Sequence, residues 1–257
     1  FKTLFVSFVG PTDPLLIKKN IESVFKDQLK APYVKPLRKK LTPVNIKNRK
    51  YTLIHKEDAT DNQIFILFPQ SFEYGSPQWY QASLLQQLLG GGLGSALNKT
   101  LRVERGLTYG ASSRMSGLNF PYWYINTFGG LKQTLPLLKG IDEVLTKFLT
   151  TPSEQVLFDS SVEISLNAFQ AGRELAIDRI GSQAAHYANH LDYRVIEEYP
   201  KKLKNLKKEE VENFKKQLQS KNAAVYLMGN KDFLKKTLLE LGVNETDIRV
   251  VNKAEIR

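Results

Sequence analysis

Leu88-Leu-Gly-Gly-Gly-Leu-Gly-Ser-Ala-Leu-Asn-Lys-Thr-Leu-Arg-Val-Glu-Arg-Gly-Leu-Thr-Tyr-Gly110 is the stretch on which the reading of this chain turns. Its glycines invite a phosphate-binding loop. Yet Gly92-x-Gly94 has no third glycine, follows a helical pattern instead of a strand, and is not succeeded by Gly-Lys-Ser/Thr. Between two helices, glycines serve close chain approach and a tight turn. Pro77 sits in the first turn of a helix running to Leu89, and a second helix is expected from Ser95 to Arg105, stopped by Gly106. Arg102 then lies in the last turn of a helix and Tyr109 at the start of the next strand, with Gly106 as the corner. A guanidinium and a phenol so placed reach over one sheet end, where they can donate hydrogen bonds to the carbonyls of an extended peptide. Neither group hydrolyses anything alone. The residues equally allow ordinary roles: Arg102 compensating its helix's last carbonyls or pairing with an acid, and Tyr109 packing as a strand aromatic.

Outward from this segment, Leu107 to Ser116 and Tyr122 to Phe128 read as antiparallel strands around the turn Gly117 to Pro121. Tyr51 to His55 and Gln63 to Phe68 read as a second such pair around the polar turn Glu57 to Asn62. Leu131 to Lys216 is almost wholly helical in pattern, with breaks near Thr151-Pro152, Gly172 and Pro200, giving four or five helices. The tail reads strand (Ala223 to Met228), helix (Asp232 to Leu241), strand (Asp247 to Val251). Hairpins followed by a run of helices predict an α+β fold, an antiparallel sheet packed against helices, and not a doubly wound dinucleotide fold.

The beginning of the chain echoes its end. Leu4 to Val9, then Gly10 and Asp13 before an apolar helix, matches Ala223 to Met228, then Gly229 and Asp232 before another. Residues 1–43 therefore read as the terminal strand and helix of a preceding domain copy plus a Pro- and Lys-rich linker, Ala31 to Pro43, and residues 44–257 as the domain proper. Strand-Gly-x-x-Asp-helix is also common punctuation, so coincidence stays open. An apolar strand without its parent sheet must pair with another edge, which allows a homo-oligomer.

With 42% hydrophobic and 25% charged residues over 257 positions, the composition is that of a folded globular protein, excluding disorder, collagen-like repeats and disulfide scaffolds. Zero Cys removes thiolate zinc sites, cysteine nucleophiles and disulfides, and fits an oxidising compartment or a neutral accident. The longest apolar stretches, such as Ile64 to Pro69, fall far short of the ~20 residues of a membrane-spanning helix, so no membrane insertion is expected. The net charge of +11 comes mostly from Lys35 to Lys50 and Lys201 to Lys208. Neither stretch interleaves aromatics on a groove-reading element, and no nucleic-acid partner is expected. The start at Phe1, without Met or leader, gives the expectation of a removed signal or upstream region; an exported, periplasmic location is favoured over others.

Leu-Gly-Gly-Gly-Leu-Gly-Ser-x-Leu, followed by Leu101-Arg102-x-Glu104-x-Gly106-Leu107-x-Tyr109, resembles the pitrilysin and mitochondrial-processing-peptidase family of zinc metallopeptidases, the inverzincins. The resemblance spans nearly the whole chain. It implies a mitochondrial-processing-peptidase-like domain, one of two homologous α+β domains that close around an unfolded peptide. The first carries His-x-x-Glu-His and zinc; this chain resembles the second, which does not. The resemblance assigns substrate binding to Arg102 and Tyr109, and no catalytic or metal-binding residue to this chain. The implied partners are a catalytic peptidase domain or subunit, which brings zinc, and a peptide substrate. The alternative is a scaffold or assembly subunit of the same fold that no longer handles peptide.

His-x-x-Glu-His occurs nowhere in residues 1–257; the histidines are His55, His186 and His190. If the domains are duplicates, the helix Trp79 to Leu89 corresponds to the metal helix, with Ser83, Gln86 and Gln87 where its ligands and base would be. Ser and Gln neither bind Zn²⁺ tightly nor lower the pKa of its water, so the isolated chain is expected to be inactive. His186 and His190 share a helix face as an i, i+4 pair, but a third ligand and a base are missing, and two partly exposed histidines are expected. Glu163, Glu174 and Asp178 read as solvated carboxylates without chemistry.

Overall fold

The computed structural model describes residues 6–26, 46–70, 72–116, 122–218 and 220–252. Six strands form one mixed sheet: β1 (Lys50–His55), β2 (Asp61–Pro69), β3 (Ala111–Ser116), β4 (Tyr122–Gly130), β5 (Ala224–Gly229) and β6 (Ile248–Asn252), in the order β3-β4-β2-β5-β1-β6. Pairs β3/β4, β4/β2 and β2/β5 are antiparallel; β5/β1 and β1/β6 are parallel. The α+β class expected from the sequence is the one observed, but the sheet is mixed and not antiparallel as expected, because β1 lies parallel between β5 and β6.

The expected β1/β2 hairpin is not formed, because β5 lies between the two strands. Val225 and Leu227 of β5 are fully buried, and Lys56 donates its backbone N–H to Gly229. The end of β1 is thus tied to β5 instead of turning into β2. The hairpin of β3 and β4 does form, in the register Ser112↔Asn126 and Arg114↔Tyr124.

The helices are α1 (Pro14–Phe25), α2 (Pro77–Gly90), α3 (Thr134–Thr150), α4 (Gln155–Ala171), α5 (Ala176–Ala188), α6 (Arg194–Lys204), α7 (Lys208–Lys215) and α8 (Lys231–Glu240), with a π-helical segment over Asn98–Glu104. The breaks near Thr151-Pro152 and Gly172 are found; the one at Pro200 is not. Pro200 lies inside α6, which runs on to Lys204, since a proline there removes one backbone bond without forcing the helix to end.

Period-two burial puts Ile64 and Ile66 of β2 and Trp123 and Ile125 of β4 into the core, joined by Leu84, Leu85 and Leu89 of α2 and Leu137 and Ile141 of α3. The alternate residues Ser112, Arg114, Tyr124 and Asn126 occupy the opposite, open face, on which Phe65 stacks against Tyr124 with ring centroids 4.6 Å apart.

The N-terminal segment meets α5 where Ser7 Oγ donates to Gln183 Oε1 at 3.3 Å. Residues 6–9 are not a strand, and Leu4, Phe5 and the linker Ala31 to Pro43 lie outside the described residues. Asp13 caps α1 by accepting from Leu15 N–H at 2.9 Å, with Pro14 at the first position. α1 buries no residue, and Leu15, Leu16 and Val24 are exposed. The cap of α8 is Asn230, which accepts from Phe233 N–H, so Asp13 and Asp232 of the two similar segments do not hold equivalent cap positions.

Candidate peptide-handling site

Ser76 caps α2, accepting from Trp79 N–H at 3.3 Å. The helix ends at Gly90, where the backbone lies against β3: a Cβ here would meet Ser113 N at 2.2 Å. This is the close approach expected of these glycines. The helix expected from Ser95 to Arg105 is present but wound as a π-helix over Asn98–Glu104, a form that recurs at functional sites. Gly106 turns the corner with φ +59°, and Leu107 N–H reaches back to Leu101 O at 2.8 Å.

Asn98, which the sequence did not single out, ties the segment together. It is buried, donates to Gly92 O (3.1 Å) and Ala111 O (2.7 Å), and accepts from Ala111 N–H (2.9 Å). Its amide stands in for a neighbouring strand on the outer edge of β3. Gln86 does the same further along, accepting from Met115 N–H at 2.6 Å. A buried amide inside a helical pattern was the signal available for Asn98.

Arg102 is exposed and lines a groove of about 420 Å³ with Gly92, Ser112, Asn126 and Phe128. Tyr109 is 83% exposed. It sits in the bend before β3, not in the strand as expected, since the strand begins at Ala111. Its neighbour Gly110 lines the groove, whereas Tyr109 does not. Thr108 fixes this bend: it accepts from Gly110 N–H at 3.0 Å, and its Oγ1 lies 3.1 Å from Thr127 Oγ1. Among the described residues neither Arg102 nor Tyr109 has a hydrogen-bond or ionic partner for its side chain; the neighbouring Arg105 instead pairs with Glu143. Arg102 stands in the last turn of the π-helical segment, where its charge faces the closing carbonyls, whereas Tyr109 does not pack as a strand aromatic.

A second concavity, about 690 Å³, brings together Ser83, Gln86 and Gln87 of α2 with aromatics from five elements and loops. Tyr74 meets Trp79 at 4.8 Å, and Trp79 meets Tyr199 at 5.8 Å. Phe169 stacks on Tyr199 at 5.2 Å. Burial pushes the Tyr74 phenol far above its ordinary range, with Tyr80 and Tyr193 adding to the shift, and burial also raises Tyr199. These phenols stay protonated donors.

His186 lines this chamber but is buried, not partly exposed as expected. Its Nδ1 lies 2.6 Å from Ser182 O, so Nδ1 carries the proton and Nε2 accepts from Tyr74 Oη at 2.6 Å. His190 lies beyond the end of α5 with φ +54° and does not share its face. Both ring nitrogens of His186 are engaged, Ser83 donates to Tyr80 O, and Gln86 is bound to β3. These residues do not fit a zinc ion. Among the described residues no cluster of three or more His, Cys, Asp or Glu is suited to a metal.

Residues 3–162 match the family model of the peptidase M16 inactive domain. This chain belongs to that family. The M16 inactive domain agrees with the resemblance carried by residues 88–110, and it places the chain among inactive domains of zinc-protease-like proteins. No curated protein matches. The fold of this M16 domain is shared with a peptidase M16 inactive domain from Pseudomonas fluorescens (21% identity, TM-score 0.70, 84% of this chain and 51% of that one). It is shared with a protease from Helicobacter pylori (16%, 0.71, 86% and 54%). The periplasmic protease PqqL from Escherichia coli is a further match (13%, 0.60, 83% and 24%). At these identities the likeness is one of fold. The chain spans about half the length of the first two structures. Among the described residues no helix is long and apolar enough to cross a membrane.

Proposed function

We propose that this M16 inactive domain is the non-catalytic half of a zinc-dependent endopeptidase, enclosing and positioning an extended peptide for a partner that carries His-x-x-Glu-His and the zinc. The observation that carries this reading is the pair Arg102 and Tyr109. Both are held out on a hydrogen-bonded corner, and among the described residues neither side chain has a hydrogen-bond or ionic partner. A guanidinium lining the groove, with an exposed phenol on the same corner outside it, offers donors to the carbonyls of a passing chain. Catalysis is then bipartite, with the base and metal on one side and the substrate's backbone held from the other. The periplasmic neighbour supports an exported setting.

Two measurements test it. The isolated chain should show no peptidase activity with added zinc and should restore or enhance cleavage when mixed with a His-x-x-Glu-His partner; zinc-dependent turnover by this chain alone would sink the reading. In the assembled enzyme, Arg102→Ala and Tyr109→Phe should each leave the fold intact and cost ~1 to 3 kcal/mol in kcat/KM, the magnitude of a lost charge-assisted or transition-state hydrogen bond. Unchanged kinetics in both variants, with no peptide bound by the domain, would instead mark a scaffold subunit.

The same reading assigns residues 1–43 to the close of a preceding domain, supported by an α1 that, among the described residues, buries no side chain and leaves Leu15, Leu16 and Val24 exposed. Deleting residues 1–26 should leave the unfolding free energy of the remainder, from urea melts, within ~0.5 kcal/mol of the full chain and abolish association with the catalytic domain. A large loss of stability would show that the segment belongs to this domain after all.

A further inference from the structure

We infer that the chamber beside α2 binds a peptide segment in which a bulky apolar side chain stands next to a carboxylate. The inference rests on the peptide-handling reading and names what the peptide must present. This open concavity of about 690 Å³ lies in the range of ligand sites. Its walls are Tyr74, Trp79, Tyr122, Tyr124, Phe169 and Tyr199, and several hold each other in edge-on or stacked contact. Such preformed aromatic surfaces take apolar side chains, aromatic ones above all.

The polar groups select further. Among the described residues Arg114 is the one permanently charged residue of the lining, which holds no Asp or Glu among them. It is exposed, and among the described residues its guanidinium has no hydrogen-bond or ionic partner. A guanidinium beside aromatic walls, with no carboxylate to repel an anion, is matched by a carboxylate. Gln86 uses its oxygen on Met115 N–H, which leaves its NH₂ at the wall for a backbone carbonyl.

Position joins the chamber to the Arg102 groove. Ser112 lines the groove and Arg114 lines the chamber, and as alternate residues of β3 they share the open sheet face, ~7 Å apart along the strand. A peptide held by Arg102 and Tyr109 reaches the chamber within a few residues.

The test is titration calorimetry on the full chain with end-blocked tetrapeptides, acetyl-Ala-Phe-Glu-Ala-amide against its Phe-Gln and Ala-Glu counterparts. The Phe-Glu peptide should bind at one site and the Ala-Glu peptide at least about tenfold more weakly. Ala168→Phe, which plugs the chamber from an exposed position on α4, should weaken binding by about the same factor. Arg114→Gln should cost about tenfold for the Phe-Glu peptide and nothing for Phe-Gln. No saturable heat with the Phe-Glu peptide, or binding indifferent to Ala168→Phe, overturns the inference. Equal affinity for Phe-Glu and Phe-Gln in the unmodified chain removes the carboxylate. A failed chamber beside an intact kinetic effect of Arg102→Ala leaves the proposed function standing.

Discussion

Lys215→Ala should lower the unfolding free energy by ~3 to 5 kcal/mol, a fall in melting temperature on the order of 10 °C for a chain of this size. The Lys215 side chain is only 2% exposed and its ammonium lies 2.5 Å from Glu212 Oε2. It donates to Thr151 O at 2.9 Å and sits 5.1 Å over the Phe148 ring. Glu212 in turn accepts from Ser153 N–H at 2.9 Å. One pair on α7 thereby fastens the link between α3 and α4. Removing the ammonium strands a carboxylate and a carbonyl together, and that uncompensated burial, more than the lost attraction, sets the size of the effect.

Burial alone would raise the Glu212 carboxyl, but the bonds from Lys215 and Ser153 outweigh it and hold the group below the carboxylate reference of 4.5. A folded-state value below the unfolded one means that the contribution is present above the unfolded value and lost as pH falls through the folded one. Urea melts across the acid range should therefore show a destabilisation that the Glu212→Gln variant lacks. A Lys215→Ala chain within 1 kcal/mol of the parent would contradict the clasp.

Gly90→Ala should cost about 3 kcal/mol or more, against ~0.5 kcal/mol or less for Gly92→Ala. The added methyl at Gly90 would stand 2.2 Å from Ser113 N and 2.8 Å from Ser112 C, backbone atoms that cannot rotate aside. At Gly92 the same methyl meets nothing within 4 Å. Moving α2 off β3 disturbs both concavities, since α2 supplies Ser83 and Gln86 to one and Gly90 to the other. Coincident urea transitions for the two variants would show that the contact relaxes freely.

These sites were legible in the sequence to different depths. Local signals sufficed where the cause is local: Pro77 starting α2, Gly106 turning the corner, and the two short runs that pair as β3 and β4. They failed where distant parts decide. Nothing near residues 51–68 announces that β5, some 160 residues later, will enter between β1 and β2. The aromatic chamber draws on positions from Tyr74 to Tyr199 that share no spacing, so no periodicity reveals it. His186 resembled a surface histidine until α5 turned it towards Tyr74. Arg102 and Tyr109 stood out through the motif around them, but the exposure that gives them meaning depends on Asn98 and Thr108, whose buried bonds hold the corner.

The outer margin of β3 is already spoken for. Asn98 occupies both backbone groups of Ala111, Gln86 occupies the N–H of Met115, and the close-set Gly90 shields Ser113. An approaching strand is thereby refused as an extra rung at Ala111 and Met115. The same refusal guards the molecule against its own copies, which find no ladder there to climb into a fibril.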